Sequence, residues 1–171
     1  PCLRDTAMRS APNAKGDQHP ELIRPTRRML QASGLPYVIE NVETAALIDP
    51  VILCGSMFDL GADDGGRRYH LERHRKFETN WGLVQPWHPP HPKPCVGIYG
   101  GHARVRAASA GGRSTKEPWT RSGADIMHEA MGMKRRVTVD AVSQGIPPAY
   151  AEHIGRALIA HLQQQRQDLA A

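Results

Sequence analysis

Reactive side chains cluster at a few places in this 171-residue chain. The first is Pro1-Cys2, followed by the polar, turn-rich stretch "LRDTAMRSAPNAKGDQHP". A thiol here reads either as incidental or as a nucleophile, since cysteine is intrinsically very nucleophilic even when little of it is ionised. The second is "LPYVIENV", Leu35 to Val42, where strand formers stop abruptly at Glu40 and Asn41. Ligands bind open α/β sheets outside the carboxyl ends of strands, so Glu40 is either a solvated strand-end acid or part of a site. Arg73 and Arg75 in "LERHRKF" form either an exposed basic strand or part of the same site.

Two further groups have bland and functional readings. His88, His91 and Cys95 in "WHPPHPKPC" are metal-ligating types. Their spacing matches no standard zinc ribbon, so an extended proline-rich connector is expected rather than a metal site. Arg104, Arg106 and Arg113 in "YGGHARVRAASAGGR" either grip phosphates from a glycine-rich loop or are simply solvated. Met127, Met131 and Met133 are read as core.

Elements must position these groups. A helix is expected from about Glu21 to Ser33, stopped by Gly34, with Pro25 in its first turns. A strand over Tyr37 to Val42 follows, a helix–strand unit of the doubly wound kind. "DPVILCGSMFDLG" is a second apolar segment, "GADDGGRR" a turn-rich connection, and another strand runs from about Arg73 to Glu78. From Gly82 the chain turns proline-rich, then glycine-rich and basic, and is read as loop. "GADIMHEAMGM" is a short helix with Ile126, Met127 and Met131 on one face. Thr138 caps another, and Pro147-Pro148 opens a long helix with an apolar stripe of Ile154, Leu158, Ile159 and Leu162.

The length suits one domain with a real core, and no apolar run reaches membrane-spanning length. Three scattered cysteines and no signal-peptide pattern point to a reducing cytoplasm. A net charge of +5 and a pI near 9.4 fit a polyanionic partner.

Taken in order, "PC", "ENV" after a strand, "RHRKF" on a later strand and "GIPPAYAEHIGRAL" near the end resemble the cytosine-5 DNA methyltransferase family, in particular its compact phage and bacterial members. The resemblance implies an α/β, Rossmann-like fold that uses S-adenosylmethionine and binds double-stranded DNA. It implies a catalytic half over residues 1–81, a short recognition region over 82–133 and a C-terminal helical segment over 134–171. Cys2 is then the nucleophile that adds to C6 of a flipped cytosine, and Glu40 the acid that hydrogen-bonds or protonates N3. Arg73 and Arg75 contact the base carbonyl and order the catalytic loop. Pro1, Asn41 and Val42 support the site, and Arg104, Arg106 and Arg113 are candidate phosphate contacts.

The chain departs from that pattern in one large respect. The family's glycine-rich "DxFxGxGG" segment, which holds the methionine part of the cofactor, is not found, so no cofactor-binding residue is assigned. The expectation is therefore a fragment or subunit of a split enzyme, whose other half carries the first strands and the cofactor site. Leu3 and Leu71 also stand where relatives tend to have glutamine. The competing expectation is a catalytically silent remnant that binds DNA or a protein through its basic surface.

Overall fold

The structure is a computed structural model that describes residues 21–91, 94–106 and 119–171. Pro1, Cys2 and Arg113 lie outside the described residues. Along the chain the elements are α1 (Ile23–Ala32), β1 (Val38–Asn41), β2 (Val51–Leu53), β3 (Gly61–Asp64), β4 (Arg67–His70), β5 (Arg75–Thr79), β6 (Cys95–Tyr99), β7 (His102–Arg106), α2 (Gly123–Ala130), α3 (Val139–Gln144) and α4 (Pro148–Asp168). Among the described residues this is a mixed α/β fold with small antiparallel pairings.

Two compact units are interleaved along the sequence. One takes the residues up to Ile52 with His74–Gln85 and Gly155–Ala171; the other takes Leu53–Arg73 and Pro86–Ile154. The second unit thus joins residues 53–73 to residues 86–154.

In the first unit, Glu21 accepts the Arg24 N–H at 3.1 Å and so satisfies one of the orphan donors that open α1. Pro25 falls in the first turn, where a missing N–H costs nothing. Gly34, with φ +67°, turns the chain out of the helix. β1 pairs antiparallel with β5, and β2 completes a three-stranded sheet of order β1-β5-β2. Alternation along β1 buries Ile39 and Asn41 and leaves Val38 and Glu40 on the other face.

Ile39 faces Glu78 in this register, so a carboxylate lies on the buried face. Arg27 of α1 answers it: its Nε and Nη2 donate to the two carboxylate oxygens at 2.6 and 2.7 Å. The Ile48 N–H adds a bond of 2.9 Å, and the Tyr37 hydroxyl one of 3.4 Å. Further along the chain, Trp81 stacks on His161 of α4 at 5.8 Å.

In the second unit, β3/β4 and β6/β7 are antiparallel hairpins turned at Gly65-Gly66 and Gly100-Gly101. All four turn glycines have positive φ, the conformation that two-residue hairpins with the native strand twist require. Hairpins thus stand in place of the turn-rich connection and the loop expected from the sequence. A parallel bridge between Leu71 and Val96, with a 2.9 Å bond from the Glu72 N–H to the Val96 carbonyl, links the two. Leu71, Val96, Ile98 and Ala103 pack against Ile126, Met127 and Met131 of α2 and Val142 of α3. The Thr138 side chain caps α3 as expected, accepting the Ala141 N–H at 3.3 Å. Among the described residues no helix is long and apolar enough to cross a membrane.

Burial pushes the Glu78 carboxyl up, but the Arg27 guanidinium and the Ile48 N–H outweigh it and hold the group below its ordinary value. A depressed folded pKa contributes stability that is complete above the ordinary value of about 4.5 and is lost as pH falls through the lower folded value. Glu78→Gln, which leaves Arg27 facing a neutral group, is expected to cost about 3 kcal/mol at neutral pH. Urea melts at descending pH check this: the gap between wild type and variant should shrink on acidification.

Candidate active site

Strand register brings Glu40 and Arg75 together. Glu40 on β1 faces Phe77 on β5. Arg75, two positions before Phe77, leaves the strand on the same face and is Glu40's diagonal neighbour. Its Nε lies 3.1 Å from Glu40 Oε1, with the side chains 13% and 29% exposed. The pair is therefore sheltered but reachable. Arg75 Nη1 also donates to the His74 carbonyl at 2.8 Å, which holds the guanidinium along the strand end.

The chain leaves β1 through a tight polar turn. Asn41 lies on the opposite, buried face, and its Oδ1 accepts the Val42 N–H at 2.8 Å. The Val42 carbonyl accepts the Ala45 N–H at 3.0 Å, and Lys76 Nζ donates to the Ala45 carbonyl at 3.1 Å. His74 Nδ1 lies 3.9 Å from the Glu43 carboxylate. This edge thus presents a carboxylate and a guanidinium side by side, a donor–acceptor couple suited to a planar ligand carrying both a carbonyl and a ring nitrogen.

Arg73 has a different setting from Arg75. The strand expected to begin at Arg73 begins at Arg75, and Arg73 belongs to the other compact unit. It is 1% exposed. Its Nη1 donates to the Ile98 carbonyl at 2.9 Å, and its Nη2 to the Ser143 and Gly145 carbonyls, both at 2.7 Å. Its own carbonyl accepts the Tyr150 hydroxyl at 2.7 Å. These donors hold backbone, and the residue acts as an internal clamp.

Arg104 and Arg106 lie on β7 rather than in a loop, opposite Gly97 and Cys95 in the register. Ala103 and Val105 are buried on either side of Arg104, the alternation of a half-buried strand. Arg113 and the Pro1-Cys2 pair lie outside the described residues.

Spacing missed one grouping. Sequence proximity groups His88 and His91 with Cys95, but the sulfur beside His91 Nε2 is that of Cys54, at 3.2 Å. Cys95 donates instead to Glu72 at 2.8 Å. Cys54 comes from a distant segment, so no local motif pointed to it. Cys54, His88 and His91 are the residues of the second unit that could hold a metal ion.

Substituting each arginine separates their roles. Arg73→Lys loses the planar fork that serves several carbonyls, and is expected to cost roughly 3 kcal/mol of stability. Arg75→Lys keeps a cation beside a partly exposed carboxylate and should change stability by about 1 kcal/mol or less. Denaturant melts of the two variants check the contrast.

The chain matches no protein-family model, no curated protein and no solved structure at a significant level, and the reading of this site rests on its own residues.

Proposed function

We propose that this chain carries the base-activating side of a cytosine-5 DNA methyltransferase with a Rossmann-like α/β architecture. The observation that supports it is the Glu40–Arg75 pair, a sheltered carboxylate and guanidinium 3.1 Å apart where β1 ends and β5 begins. The ordered motifs around Cys2, Glu40, Arg75 and Pro147-Pro148 support it from the sequence.

In this reading the Cys2 thiolate adds to C6 of a cytosine flipped out of the duplex. The C5–C6 double bond opens, and its electron pair makes C5 nucleophilic. Glu40 delivers a proton or hydrogen bond to N3, and Arg75 stabilises the charge that builds on the adjacent carbonyl oxygen. Arg73 acts one step back, by holding the segment that leads into β5. After methylation a base removes the C5 proton, and the Cys2 sulfur leaves with the electron pair of its C–S bond.

S-adenosylmethionine would supply the methyl group. The described residues include no glycine-rich strand–loop–helix segment that would cradle its methionine part. In this proposal the methyl donor is held by the other half of a split enzyme. That same absence favours the second reading, a silent remnant that binds DNA through a chain of net charge +5.

Trapping on a duplex containing 5-fluorocytosine decides between the two. Fluorine at C5 blocks the final elimination, so an active site leaves a covalent adduct visible on a denaturing gel. With S-adenosylmethionine present, and with any polypeptide encoded upstream supplied, the adduct is expected for wild type and absent for Cys2→Ser. Glu40→Gln should slow its formation about 100-fold or more. DNA binding with no adduct under any of these conditions would establish the silent remnant.

A further inference from the structure

We infer that Cys54, His88 and His91 form a binding site for a single transition-metal ion, with zinc the best match to the donor set. All three lie in the second compact unit. Cys54 directly follows β2 and is fully buried, with its Sγ 3.2 Å from His91 Nε2. His88 packs edge-on against His91 with ring centroids 4.8 Å apart, and the candidate ligand atoms of the three residues lie within 4.8 Å of one another. A tetrahedral zinc ion, with bonds of about 2.3 Å to sulfur and about 2.0 Å to nitrogen, spaces its ligands roughly 3.3–3.6 Å apart. The Cys54–His91 separation of 3.2 Å is already close to that spacing.

The surrounding chain is built to hold such a site. Each histidine precedes a proline, and Pro89 and Pro90 fill the gap between them, so the backbone of the segment is already restricted. His91 Nδ1 lies 3.8 Å from Glu72 Oε2, and Cys95 Sγ donates to that same oxygen at 2.8 Å. A carboxylate beside the far nitrogen of an imidazole favours the tautomer that presents Nε2 to a metal. Gly55 permits the close approach of Leu71, the residue before Glu72. A Cβ at Gly55 would stand 2.6 Å from the Leu71 carbonyl oxygen and push that backbone away from Cys54.

Cys54, His91 and Glu72 alone also have the makings of a thiol–imidazole–carboxylate nucleophile. Two features decide against that use. Cys54 is 0% exposed, whereas a nucleophile must be reached by its substrate. The second histidine has no place in such a triad, but it completes a three-ligand metal set. Thiolate with two imidazoles selects zinc and its neighbours over magnesium or calcium.

The test is metal analysis of the full chain by mass spectrometry, followed by replacement of the metal with cobalt(II). Stoichiometric zinc is expected, and with cobalt the visible bands of tetrahedral coordination plus a thiolate-to-cobalt charge-transfer band. Cys54→Ser should abolish that band, while Cys2→Ser should keep it. Glu72→Gln removes no ligand and should weaken metal binding about 10–100-fold with the tetrahedral spectrum retained. Circular dichroism of each variant guards against misreading an unfolded chain, and the wild-type cobalt spectrum stands independently of the variants. Weakly absorbing octahedral cobalt in wild type, or a charge-transfer band that survives Cys54→Ser, would overturn the site. Rapid alkylation of Cys54 that zinc does not slow would overturn it in favour of the nucleophile. These readouts follow metal and not methyl transfer, so they stand or fall apart from the reading of Glu40 and Arg75.

Discussion

A carboxylate on the buried face of a strand pair can be tolerated in only one arrangement, and the Glu78–Arg27 pair is that arrangement in the first unit. Desolvating Glu78 costs several kcal/mol unless its oxygens are fully served. Here they receive Arg27 in a bidentate grip, the Ile48 N–H and the Tyr37 hydroxyl. A slip of one residue between β1 and β5 would put Glu78 and Ile39 on opposite faces, so that burying Ile39 would turn Glu78 out and leave Arg27 without its partner. The pair therefore contributes more to register than to net stability. Once the register is fixed, Glu40 necessarily falls diagonal to Arg75 on the other face. The sheltered pair is positioned by the buried one.

In the second unit a single arginine solves a different problem. The carbonyls of Ser143 and Gly145 close α3 and have no helical partners of their own. Arg73 supplies both, adds the Ile98 carbonyl of β6, and offers its own carbonyl to Tyr150 at the start of α4. A cation at a helix C-terminus also sits favourably against the helix dipole. Only a guanidinium has enough donors in a fixed plane for this task. Two arginines separated by one residue thus do unrelated work, one holding backbone and the other standing beside a carboxylate.

Much of the helical part of the fold could be read from sequence, because its signals are local. Gly34, the Thr138 cap, Pro147-Pro148 and the buried face of α2 are each set by neighbours within one or two turns. The hairpins were hidden for the opposite reason. β3 and β4 read as loop because Asp63, Asp64, Arg67 and Arg68 supply few strand formers. They are held instead by cross-strand and distant partners, such as Asp63 with Arg68 and Asp64 with Thr120. The stripe on α4 shows the limit of periodicity. Ile154 is buried, but Ile159 and Leu162 are 57% and 40% exposed, since spacing says which residues share a face and not whether anything covers it.

Both candidate sites arise where a short strand meets irregular chain, and this explains what sequence could reveal of each. β1 ends at Asn41 and β5 begins at Arg75, while β2 ends immediately before Cys54. At such junctions a side chain is fixed by the strand on one side, yet the backbone is free to turn toward a partner from another segment. The residue type is then visible in the sequence, as the abrupt acid after Ile39 was. The partner is not, because it is chosen by register or by a close approach such as that of Leu71 over Gly55. Spacing rules test ligands that share a segment, and they reject His88 and His91 because the sulfur completing their set lies on another. What the sequence displays is half of each pair; the other half is a property of the fold.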